Sequence, residues 1–212
     1  MKEITHDVIA QSLTYQDYRA LVTQLLAKGE MTGAGVPNTP EMLEYTRLNE
    51  QRMNRLEKTF HLDEIAGALL AQIQQPMLWI VLTEGWCGDA AQILPVIQHL
   101  AQLNPNITLR MLLRDQHLDI MDAFLTNGGR SIPKVLFVEP DSGHILGDWG
   151  PRPTAAAELM ADFSARMKAA SDPQVHHDIY EAAKTAIHTW YAHDKTVHTQ
   201  RELLQRAIGL LG

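Results

Sequence analysis

Cys87 is the single cysteine of a 212-residue chain, and it lies within Thr83-Glu84-Gly85-Trp86-Cys87-Gly88-Asp89-Ala90. Before this stretch, Met77 to Leu82 form a short unbroken apolar run after Pro76, the pattern of a strand buried on both faces. After it, Ala91, Leu94, Ile97, Leu100 and Ala101 recur at helical spacing, which predicts that Cys87 sits at a helix N-terminus. Unpaired backbone N–H groups and the helix dipole favour an anion there, so the expected chemistry is an accessible thiolate of lowered pKa. The plainer alternative is an inert buried cysteine. Asp89 suits the first helical turn but repels a thiolate, and it reads equally as a capping acid or as a tuning and proton-transfer group. Trp86 offers a flat contact surface or is an ordinary half-buried aromatic, and Glu84 shuttles protons or faces solvent.

Trp86-Cys87-Gly88-Asp89-Ala90 resembles the Trp-Cys-Gly-Pro-Cys active site of thioredoxin, with Asp89 for the proline and Ala90 for the second cysteine. Pro95 matches the kink proline of that family's active-site helix, and Ser131-Ile132-Pro133 looks like its cis-proline loop. The whole run from Asn127 to Pro133 is similar to a loop of bacterial thioredoxin-like proteins that carry Cys-Gly-Asp-Cys or Cys-Gly-Asp-Ala. The resemblance covers roughly residues 77–170 and implies a catalytic Cys87; Asp89, which departs from the family's proline, is its expected catalytic neighbour only in the tuning or proton-transfer reading. Substrate binding is expected from Trp86, Gly88, Arg130, Ile132 and Pro133: the resemblance implies that Ile132 offers backbone groups, while Arg130, close to the loop in sequence, pairs with a glutathione carboxylate or, as the preferred reading, forms a structural salt bridge with Asp89 or Glu84.

Ala90 limits that chemistry, because disulfide reduction through a mixed disulfide needs a resolving thiol and this chain holds no other cysteine. Two functions stay open. One is a monothiol oxidoreductase that acts on protein or glutathione mixed disulfides through Cys87 and is discharged by an external thiol. The other is a redox-inactive binding or adaptor protein that uses the groove beside Pro133. Expected partners are protein or small-molecule thiols and disulfides, with no cofactor beyond glutathione as a co-substrate.

A net charge of -7 argues against nucleic-acid or anionic-membrane binding, both of which favour basic surfaces. The first residues lack a signal-peptide pattern and no apolar run reaches the length of a membrane span, so a reducing cytoplasm is the expected location. Ten histidines invite a metal site, but His188, His193 and His198 step around a helix instead of along one face, so no metal is expected.

The elements that must position the cysteine read as an α/β thioredoxin-like fold, a central mixed sheet flanked by helices. Helical spacing appears over 14–28, 41–58 and 62–73, then the Cys87 helix, a parallel strand over 107–113 and a short helix over 118–125. Residues 134–138 and 144–146 flank turn residues and predict an antiparallel hairpin, and Thr154 caps a helix to about 170. The helix over 41–58 is charge-laced around Tyr45, Leu48 and Leu56, with its charges expected in solvent, and the glycine-rich stretch over 33–40 reads as a plain surface linker in preference to a mobile connection lying over the active site. Residues 1–61 and 171–212 form helical extensions of a 62–170 domain, and they either cap it or pair two copies of the chain.

Overall fold

The computed structural model describes residues 2–211, with element order α1 (His6–Gln11), α2 (Tyr15–Ala27), α3 (Pro40–Thr59), α4 (Glu64–Leu70), β1 (Met77–Thr83), α5 (Gly88–Leu103), β2 (Ile107–Leu113), α6 (Leu118–Met121), β3 (Lys134–Val138), β4 (Ile145–Trp149), α7 (Thr154–Ala169), α8 (Pro173–Asp194) and α9 (Val197–Ile208). The four strands run in the order β2-β1-β3-β4, with β1 parallel to β2 and antiparallel to β3. This is the mixed sheet expected from the sequence. Every residue of β1 is buried, as a strand covered on both faces requires.

The local chemistry explains the boundaries. Thr14 and Thr39 cap α2 and α3 by accepting from Asp17 and Met42 backbone N–H groups, and Pro40 opens α3 where its missing N–H costs nothing. The helix expected over 62–73 is shorter, since Asp63 caps it by accepting from Ala66 N–H. The stretch before α2 holds α1, which the periodicity missed because its six residues bury none of their side chains. It straps both sheet edges: Ile4 and Lys2 pair with Gly143 and Ile145 beside β4, and Leu13 exchanges two hydrogen bonds with Met111 of β2. Paired edges of this kind resist addition of a foreign strand.

α5 runs through the centre, with Ala90 to Ile97 and Leu100 all buried. α3 and α9 pack on α5, α4 on α9, and α7 on α8. The buried face of α3 is Thr46, Asn49, Met53 and Leu56, so of the expected stripe Leu56 is buried, Tyr45 half-buried and Leu48 exposed. Of its polar inward residues, Asn49 donates to the Gly85 carbonyl of the Cys87 turn and Thr46 to the Met42 carbonyl of its own helix, which a hydrophobic pattern cannot reveal. Among the described residues no helix is long and apolar enough to cross a membrane.

Candidate functional site

Cys87 is the N-cap of α5, where the end of β1 turns into the helix. Its sulfur accepts from Ala90 N–H at 3.4 Å and donates to the Ile132 carbonyl at 3.2 Å. Ile132 precedes Pro133, and the peptide bond between them is cis. Cys87 is buried, 7% exposed as a residue. Burial first, and then the Asp89 charge, push the Cys87 thiol up to about 12, against the weaker pull of the helix N–H groups and Arg152. This corrects the expectation of a lowered pKa: the dipole is worth about 0.3–1 kcal/mol, whereas full burial moves a titrating group by several units. At neutral pH Cys87 is a thiol that gives its hydrogen to a carbonyl.

The sulfur borders a pocket of about 610 Å³. Trp86, Gly88, Asp89 and Ile132 line it, together with Tyr45 of α3 and Lys184 of α8. A thioredoxin family model matches residues 36–168. The chain belongs to the thioredoxin family. No curated protein matches it in sequence. Among solved structures, a protein of unknown function from Pseudomonas aeruginosa is 17% identical, with 94% of this chain and 97% of that one covered at a TM-score of 0.52. An HIV epitope scaffold is 15% identical over 94% of this chain and 98% of its own, at a TM-score of 0.49. The first of these likenesses concerns the fold alone.

Within this thioredoxin-family site, Asp89 is held rather than free. Its Oδ2 lies 2.5 Å from Arg152 Nη2, and its Oδ1 accepts from the Tyr191 hydroxyl at 2.9 Å. Arg152 follows a second cis peptide, Gly150–Pro151, and Tyr191 is on α8, so two distant segments converge on the first turn of α5. Arg130 pairs with neither Asp89 nor Glu84. It donates to both carboxylate oxygens of Asp122, at 2.6 and 2.8 Å, while its side chain borders the pocket. Asp148, Trp149 and Gly150 do not line the cavity beside Cys87; Asp148 and the Gly150 carbonyl accept from the buried Lys134 ammonium at 2.9 and 3.2 Å.

Glu84 is fully buried, which overturns its reading as a solvent-facing residue. Its Oε1 accepts from Asp115 N–H at 2.9 Å, and burial raises its pKa. The glycine-rich stretch between α2 and α3 is likewise no plain surface linker. A Cβ at Gly33 would stand 2.8 Å from Asp115 Oδ2, 2.9 Å from Trp86 Nε1 and 3.2 Å from Glu84 Oε2, so a glycine at φ +88 is what lets this backbone lie on the turn. Thr32 Oγ1 accepts from Gly85 N–H at 2.8 Å, and Asn49 Nδ2 donates to Gly85 O at 3.3 Å. Trp86 stacks under the Arg114 guanidinium, 4.9 Å from the ring centre.

Sequence reasoning therefore missed Thr32, Asn49, Tyr45, Arg152 and Tyr191. The one available signal was Gly33-Ala34-Gly35, two glycines close together in a stretch otherwise flanked by helices.

Proposed function

We propose that this chain is a thioredoxin-fold binding protein, which receives a ligand in the pocket beside Cys87 and the Ile132–Pro133 loop without redox turnover. The observation that carries the reading is the state of Cys87: 7% exposed as a residue, its thiol bonded to the Ile132 carbonyl and pushed up to about 12. A nucleophile needs the thiolate, and release of a mixed disulfide needs a second thiol that this chain lacks. The pocket, about 610 Å³, falls within the usual range for small ligands or a short peptide segment.

A second reading keeps monothiol exchange, because Cys87 borders the pocket at a helix N-terminus. There the Cys87 thiolate attacks a disulfide sulfur, the S–S bond breaks, the leaving thiolate takes up a proton, and glutathione discharges the adduct.

Two measurements decide between them. Alkylation of Cys87 followed across pH by mass spectrometry has its midpoint above about 8.5 under the binding reading. Turnover of hydroxyethyl disulfide with glutathione stays at the uncatalysed rate. A midpoint well below that of a free cysteine, together with a glutathione adduct that excess thiol discharges, would return the protein to the oxidoreductases.

A further inference from the structure

Beside Cys87, a relay of three side chains with no part in the reading above reaches the pocket through Tyr45. Tyr45 Oη on α3 lies 3.1 Å from His188 Nε2 on α8, and Gln92 Nε2 on α5 lies 3.3 Å from His188 Nδ1. The phenol rests against Gly88: a Cβ there would collide with Tyr45 Oη, so the residue beside Cys87 owes its smallness to this approach. Tyr45 and Gly88 both line the Cys87 pocket. Arg52 and Lys184 sit over the Tyr45 ring at 5.3 and 5.4 Å and hold its plane.

The direction of the hydrogen bonds follows from elementary valence. An amide nitrogen only donates, so Gln92 gives a hydrogen to His188 Nδ1. Burial, helped by the Arg52 and Lys184 charges, draws the His188 pKa down to about 4, so the ring is neutral at pH 7 and carries one N–H. With Nδ1 accepting, that hydrogen is on Nε2 and is donated to Tyr45 Oη. The phenol's own hydrogen is then left over for something else.

We propose that Tyr45 is the hydroxyl donor of the Cys87 pocket, giving its hydrogen to an oxygen or sulfur acceptor on the ligand, with His188 and Gln92 as positioning residues that keep this hydrogen available. The proposal rests on the pocket being a binding site. It assigns the ligand a class: a molecule that places a carbonyl, carboxylate or sulfur acceptor over Gly88, such as a peptide carbonyl.

The test begins with the tautomer, read from the ¹⁵N shifts of the His188 ring in the full chain. Nε2–H is expected, and Nδ1–H overturns the proposal. Gln92→Glu is the matched variant: a carboxylate accepts from Nδ1–H, the imidazole turns its lone pair to Tyr45, and the phenol hydrogen is used up although no side chain has changed size. The functional readout is the rate of Cys87 alkylation by iodoacetamide, which carries a carbonyl acceptor, divided by that with iodoethane, which carries none. Tyr45→Phe and Gln92→Glu are each expected to lower this ratio about fivefold to tenfold, the worth of one neutral hydrogen bond. An unchanged ratio in both variants overturns the proposal. Disulfide turnover by the wild-type protein would sink the binding reading while leaving tautomer and ratio as they are, so the two failures are separable.

Discussion

Arg152 Nη2 stands 2.5 Å from Asp89 Oδ2, so the acid that follows the Cys87-Gly88 pair is neutralised by a residue from beyond β4. After burial, which raises the Cys87 pKa most, the pair acts on it in opposite directions: Asp89 raises it and Arg152 lowers it.

Asp89→Asn therefore releases the thiol. The repelling charge goes and Arg152 is left without its carboxylate, both of which favour the thiolate. The alkylation midpoint of Cys87 is expected to fall by about one unit or more, and Arg152→Met is expected to move it the other way. Alkylation rates against pH check both, and a midpoint unmoved by Asp89→Asn would show that burial alone controls the thiol.

Thr32→Val keeps the shape of a residue that is 4% exposed but removes the acceptor of Gly85 N–H. A buried donor left unpaired costs about 1–3 kcal/mol. Urea unfolding should report that loss. Because the same bond fixes the turn into Cys87, alkylation in the folded state should also quicken.

The acid stability of the protein should carry the signature of His188. Its folded-state pKa, about 4, lies below the value near 6.5 of an unfolded chain. The folded state binds fewer protons in that window, so stability is fully present above about pH 6.5 and is lost as pH falls toward 4. One such group gives a slope of at most about 1.4 kcal/mol per pH unit. His188→Gln should flatten the curve of unfolding free energy between those limits. An identical slope in the variant would move the effect to another group.

Cys87 has the opposite sign. Its folded-state pKa of about 12 exceeds that of an unfolded cysteine, so the folded state holds its proton longer, and stability declines as pH rises from about 8.5 toward 12. Cys87→Ser removes this part of the alkaline slope, measurable by denaturant unfolding at pH 8 and pH 10.

The central fold was legible in the chain because its signals are local. A fully apolar run after Pro76, a helical repeat after Cys87, and turn residues between two short apolar stretches are each properties of a few neighbouring residues, and they predicted β1, α5 and the β3–β4 hairpin. Through their resemblance to the thioredoxin motifs, Trp86-Cys87-Gly88 and Ser131-Ile132-Pro133 marked the two segments whose sulfur and carbonyl meet at 3.2 Å. Only the tertiary structure decided what state the thiol is in. Whether a cysteine is a thiolate depends on the water removed from it and the charges brought beside it: burial acts first, Asp89 of the same helix turn repels the thiolate, and Arg152 from the segment after β4 pulls the other way. Thr32, Asn49 and Arg152 carry no periodic or motif signal, because one hydrogen bond or ion pair across the fold asks only for the right polar atom at the end of a side chain.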